Sequence, residues 1–139
     1  MVPKFSLLLF PLFSVCILAN DAPAKKFAGT WEAKFNGSTF CVLKIQAGDS
    51  AQISGSMTGV DINVDDEGNL RSVEARSDEF PILRPALESG NLRFEWSDDS
   101  GEAPLKFELK VTGDREAQLT FLSVPEGMKI KPLVFTKTD

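Results

Sequence analysis

Apolar and polar residues alternate one for one along most of the chain. Trp31, Ala33 and Phe35 share one side of such a stretch, with Glu32 and Lys34 on the other. Cys41, Leu43 and Ile45 oppose Val42, Lys44 and Gln46. Ile53, Gly55 and Met57 follow with Ala51, and then Val60, Ile62 and Val64. Leu92, Phe94 and Trp96, then Leu105, Phe107, Leu109 and Val111, then Ala117, Leu119 and Phe121 repeat the pattern. A period of two is the mark of half-buried strands. Gly-, Asp- and Asn-containing turns separate the runs, among them Asp66-Glu67-Gly68-Asn69 and Val124-Pro125-Glu126-Gly127. Residues 70–76 form a weaker strand, and a last strand covers about 131–137. No stretch keeps a helical period. About eight or nine short strands at this spacing predict an all-β antiparallel sandwich or meander barrel. A closed barrel would also remove exposed edges from a secreted monomer.

One apolar run breaks the alternation: Phe80-Pro81-Ile82-Leu83-Arg84-Pro85-Ala86-Leu87. Proline donates no backbone hydrogen bond, so this run belongs at an edge or in a loop. Its apolar side chains must cover the core, the barrel mouth or a partner. The functional expectation puts Phe80, Ile82 and Leu83 at an open barrel end, with Trp96, as the contact for an apolar ligand or a partner. Trp31, Phe35, Phe94, Trp96, Phe107, Phe121 and Phe135 all fall on inward faces. An eight-stranded interior is just wide enough to be filled by side chains or to hold one small ligand.

The beginning of the chain follows a different rule. Lys4 is the only charge before Asp21, and residues 5–18 are almost wholly apolar. The run is shorter than the roughly 20 residues of a membrane span and contains Pro11. It predicts a secretory signal peptide over 1–19, cleaved between 19 and 24. A flexible segment, 20–26, then leads into a single β-barrel domain over 27–139. Removing 1–19 leaves 14 basic against 20 acidic side chains, a net charge of −6, and one cysteine, Cys41. One cysteine closes no internal disulfide, and its inward position predicts a buried, inert thiol. Asn36-Gly37-Ser38 is a glycosylation sequon in a eukaryotic secretory host and otherwise a turn.

Composition excludes more than it assigns. The 139 residues carry 15 Lys+Arg and 20 Asp+Glu, so there is no cationic surplus for phosphate backbones. Histidine and tyrosine are absent. That removes the Ser-His-Asp triad, His-ligated metals and a phenolic acid or nucleophile. Ser54, Ser56 and Ser123 have no base to activate them, and the carboxylates Asp98 and Asp99 lie in a loop. The acidic stretch 61–69 places Asp61, Asn63 and Asp65 at calcium-loop positions 1, 3 and 5. Asp66 stands where that loop needs Gly, and Ser72 where it needs Glu. Alternate residues of a strand stand about 6–7 Å apart, too far to share one ion. The expectation is a solvated strand face, no metal, no cofactor and no enzyme.

Phe27-Ala28-Gly29-Thr30-Trp31 resembles the G-x-W signature of lipocalins and the F-x-G-T-W start of fatty-acid-binding proteins. That resemblance implies that Trp31 is a structural plug at one barrel end. Residues 27–137 also resemble small bacterial lipocalin-like domains, found alone or appended to serine hydrolases. The likeness runs through Gly29-Thr30-Trp31-Glu32, Ile53-Ser54-Gly55-Ser56-Met57 and Phe80-Pro81-Ile82. It continues in Gly90-Asn91-Leu92-Arg93-Phe94-Glu95 and Pro132-Leu133-Val134-Phe135-Thr136-Lys137. It implies a lipocalin-like barrel and no chemistry of its own. The run Cys41-Val42-Leu43-Lys44-Ile45 after Gly29-x-Trp31 is similar to small secreted inhibitors of bacterial metalloproteases, without their second cysteine. The expected protein is therefore a secreted or periplasmic, monomeric, non-enzymatic module for an apolar small molecule or a protein partner. The alternative is a secreted protease inhibitor acting through residues 21–26.

Overall fold

The computed structural model describes residues 24–47, 52–98, 101–124 and 126–138. Nine strands account for most of them. They are β1 (Gly29–Phe35), β2 (Ser38–Ala47), β3 (Ile53–Val64), β4 (Leu70–Pro81) and β5 (Leu83–Glu88). β6 (Asn91–Trp96), β7 (Leu105–Gly113), β8 (Glu116–Phe121) and β9 (Leu133–Lys137) complete the set. All lie in one curled sheet in the order β4-β3-β2-β1-β9-β8-β7-β6-β5. The fold is thus all-β and antiparallel, as the alternation predicts. Among the described residues no helix is long and apolar enough to cross a membrane.

The two outer strands explain the curl. Eight neighbouring pairs separate β4 from β5, and every pair is antiparallel. An even number of reversals leaves β4 and β5 running in the same direction. Only Ile82 lies between them. The two edges of the sheet are therefore one long bent strand, which pairs with β3 through its first part and with β6 through its second. Its corner is the run that breaks the alternation. Pro81 closes β4 and Pro85 lies in β5, so both prolines sit on outer strands, where a missing donor costs no ladder bond. The Ile82 N–H donates to the Gly55 carbonyl at 2.9 Å, which ties the corner to β3. A Cβ at Gly55 would run into the Lys44 carbonyl of β2, so the tight approach there requires glycine. Arg84, with φ of 48°, falls within the register shift between Leu83 and Ala86.

The structure joins residues that the alternation separates. Two stretches of opposite parity, 53–57 and 60–64, are parts of the 12-residue β3. A bulge between Thr58 and Val60 absorbs the change of parity. Met57 before it and Val60 and Ile62 after it consequently face the same interior. The weak strand over 70–76 extends to Pro81, because β3 is long enough to pair with it throughout.

The core is layered across the strands. Leu92, Leu109, Leu119 and Leu133 lie opposite one another on β6, β7, β8 and β9. Phe94, Phe107 and Phe121 form the next layer, with ring centroids 5.5 and 4.9 Å apart. Cross-strand aromatic pairs of this kind add to simple burial. At the end of the curl where β1 begins, Trp31 is fully buried. Its indole N–H donates to the Phe27 carbonyl at 2.9 Å, and Phe27 is itself buried. The chain enters through a helical turn closed by bonds from Phe27 N–H to the Ala24 carbonyl and from Ala28 N–H to the Lys25 carbonyl. Of the segment 20–26, residues 24–26 are described, and Ala24 is buried beneath that turn. The signal-peptide reading and its cleavage range lie outside the described residues.

Candidate functional site

The end opposite Trp31 is where β1 meets β2, β3 meets β4 and β8 leads to β9. Here the side chains leave a hollow of about 220 Å³. Met57, Val60 and Ile62 of β3 form one wall, and Trp96, Phe107 and Phe121 of β6, β7 and β8 form the facing one. Cys41 lies between them on β2. Val124 and Ile130, from the connection between β8 and β9, line it as well, with Leu105, Leu119 and Leu133. The bulge at Thr58–Val60 is what turns Val60 and Ile62 into this space.

Polar atoms at the wall are already engaged. Thr58 Oγ1 accepts the Val42 N–H at 2.9 Å, and Ser123 Oγ accepts the Lys106 N–H at 2.9 Å. The Trp96 indole N–H is shared between the carbonyls of Met57, at 3.0 Å, and Phe80, at 3.2 Å. No buried side-chain nitrogen or oxygen lacks a partner among the described residues. The hollow therefore offers an incoming molecule contact and dispersion, and no charge.

Among the described residues Cys41 is the only titratable group lining it. Burial pushes the thiol up to about 11 from 9.0, against the opposing effect of its bond with Thr58. A thiol whose pKa is raised on folding stabilises the protein below its unfolded pKa and loses that contribution as pH rises toward the folded value. The window is therefore pH 9 to 11, and two units correspond to roughly 2–3 kcal/mol. Urea melts of wild type and Cys41→Ala at pH 8 and pH 11 will show wild type losing more of its stability by about that amount. A difference between the two proteins that stays constant with pH would mean an exposed thiol.

The residues singled out in the sequence take different places. Trp96 lines the hollow. Phe80 stacks edge-on against it, with centroids 6.0 Å apart, and supports it from the side of β4. Ile82 is buried in the core at the corner, and Leu83 is half-buried on β5 opposite Glu95. Trp31 is buried at the far end. The acidic candidates serve the frame. Asp65 accepts the Glu67 and Asn69 N–H groups at 2.9 Å each, and these bonds, led by Asn69, lower its pKa. Asp98 pairs with Arg76 at 3.3 Å, and Arg76 also binds Asp78 at 2.9 Å. Asp99 lies outside the described residues.

Three larger hollows are external, the smallest of them about 240 Å³ and lined by Arg84, Arg93, Glu95 and Lys106 among others. A groove of about 700 Å³ follows the gap where the bent strand has left β3, between Gln52-Ile53-Ser54 and Pro85-Ala86-Leu87. Another, of about 420 Å³, lies outside the β8–β9 connection, with Phe35, Phe40 and Leu70 at its floor and Lys34 and Lys131 at its rim. Volume favours these grooves, but enclosure by apolar walls on several sides favours the 220 Å³ hollow as a ligand site.

The chain matches no protein-family model, no curated protein and no solved structure.

Proposed function

We propose that this chain is a lipocalin-like, non-enzymatic binding module that holds a small uncharged apolar molecule in its end hollow. The observation that carries this reading is the 220 Å³ apolar space whose polar neighbours are all satisfied. A dry engineered cavity of about 150 Å³ takes up benzene, whereas drug-sized ligands need about 300 Å³ or more. The ligand is therefore a one- or two-ring hydrocarbon skeleton or an alkyl group of similar bulk. The apolar run over residues 5–18 and the G-x-W start support an exported, monomeric carrier in the periplasm or outside the cell.

Naphthalene titrated into the protein will bind saturably at one site and change the fluorescence of Trp96. Val60→Phe, which fills the hollow from β3, will abolish that binding while a urea melt still shows a cooperative fold. No saturable binding by wild type, or equal binding by Val60→Phe, would remove the hollow as the site.

A further inference from the structure

The walls of the hollow are unequal. Strand walls are held by ladders of backbone hydrogen bonds. Residues 126–132, which cross the end of the curl, are not. Among the described residues this arm makes one backbone hydrogen bond to the rest of the protein, from the Lys131 N–H to the Gly68 carbonyl at 3.0 Å. Ile130 is its inward side chain and touches the hollow. Met128 is 43% exposed. A segment with one external backbone bond and little buried surface opens at low cost compared with the strands around it.

The post to which the arm is fastened is built for close approach. Gly68 has φ of 91°, and its N–H donates to the Asp65 carbonyl at 3.1 Å. A Cβ on Gly68 would stand 3.1 Å from Lys131 N and 3.2 Å from the Lys129 carbonyl carbon and oxygen. Those neighbours are backbone, so they yield only if the arm moves away. The Asp65 carboxylate, by accepting two N–H groups of the same turn, keeps the post in place.

We infer that residues 126–132 are the door of the hollow and that Gly68 is the positioning residue that holds it shut. The arm swings outward when the Lys131–Gly68 bond breaks, Ile130 leaves the wall, and a small apolar molecule enters beside Val124. Its purpose as a ligand door rests on the binding reading above, but the opening is measurable without any ligand. Cys41 lines the hollow and is 2% exposed, so a small thiol reagent reaches it only through an opening.

The test is the rate at which methyl methanethiosulfonate labels Cys41, followed by peptide mass mapping at increasing low concentrations of urea. A local door gives a rate nearly independent of urea, whereas global unfolding gives a rate that rises with the full urea slope of the melt. Gly68→Ala will raise the urea-independent rate about tenfold, the effect of losing one hydrogen bond. Ile130→Ala, which leaves the post and its turn intact, will raise it as well. Arg76→Ala, which breaks the Asp98 pair on the β4 side, will leave it unchanged. Wild-type rates in Gly68→Ala and Ile130→Ala with the proteins folded would overturn the door. So would equal acceleration by Arg76→Ala, or labelling that follows the global slope in every variant. Naphthalene will slow the labelling of wild type. If it does not, while Gly68→Ala still accelerates labelling, the door stands and the ligand reading fails.

Discussion

Replacing Trp31 with alanine will destabilise the protein by about 3–5 kcal/mol, the range for truncating a large aromatic side chain in a packed core. The indole is fully buried where β1 enters the sheet. Its N–H satisfies the carbonyl of Phe27, and Phe27 is anchored by the helical turn from Ala24. Truncation therefore leaves a cavity in the packed core where β1 begins and leaves the Phe27 carbonyl without its donor. Trp31→Phe separates the two contributions. It keeps most of the apolar volume and loses the hydrogen bond, so its cost should be about 1–3 kcal/mol. Urea melts followed by circular dichroism measure both. A loss under about 1 kcal/mol for Trp31→Ala would contradict the burial of the indole and its part in closing this end.

Strand identity is a local property, and it was legible in the sequence. Side chains on β1, β2, β6, β7 and β8 alternate in and out, and the pattern survives any choice of partner. Pairing decides the rest. The parity change between Met57 and Val60 suggests two strands until β4 is placed beside them; the bulge makes them one. Phe27 and Phe40 are buried, yet neither belongs to the inward set of an alternating run. Phe27 packs from a helical turn, and Phe40 has the parity opposite to Cys41. The prolines put 80–87 at an edge or in a loop, and of these the structure has the edge; they do not show the bend that makes β4 and β5 one strand. Inward residues such as Trp96 and Phe107 were also visible. The hollow was not, because it is a shortfall of side-chain volume summed over several strands and one connection. The turn Val124-Pro125-Glu126-Gly127 gave no sign that Val124 and Ile130 would cover it.

Trp96→Ala will have an effect of similar size, about 3–5 kcal/mol, for a different reason. Trp96 closes two things at once. Its indole N–H crosses from β6 to the Met57 and Phe80 carbonyls, joining the second half of the sheet to β3 and β4 at the bend. Its ring is also a wall of the hollow and the surface on which Phe80 rests. Truncation should therefore weaken the seam and enlarge the space together. Trp96→Phe keeps a ring in the wall and deletes the crossing bonds, so it should cost about 1–3 kcal/mol while naphthalene still binds. Trp96→Ala, assayed at a temperature where it remains folded, should accept a three-ring hydrocarbon that wild type refuses, because the missing ring adds its own volume to the hollow. If both variants match wild type in urea, the indole is not part of the seam. If Trp96→Ala is destabilised but keeps the wild-type size limit, the neighbouring side chains have collapsed into the gap. The limit is then set by Phe107 and Phe121 of the same wall and by Ile130 of the connection.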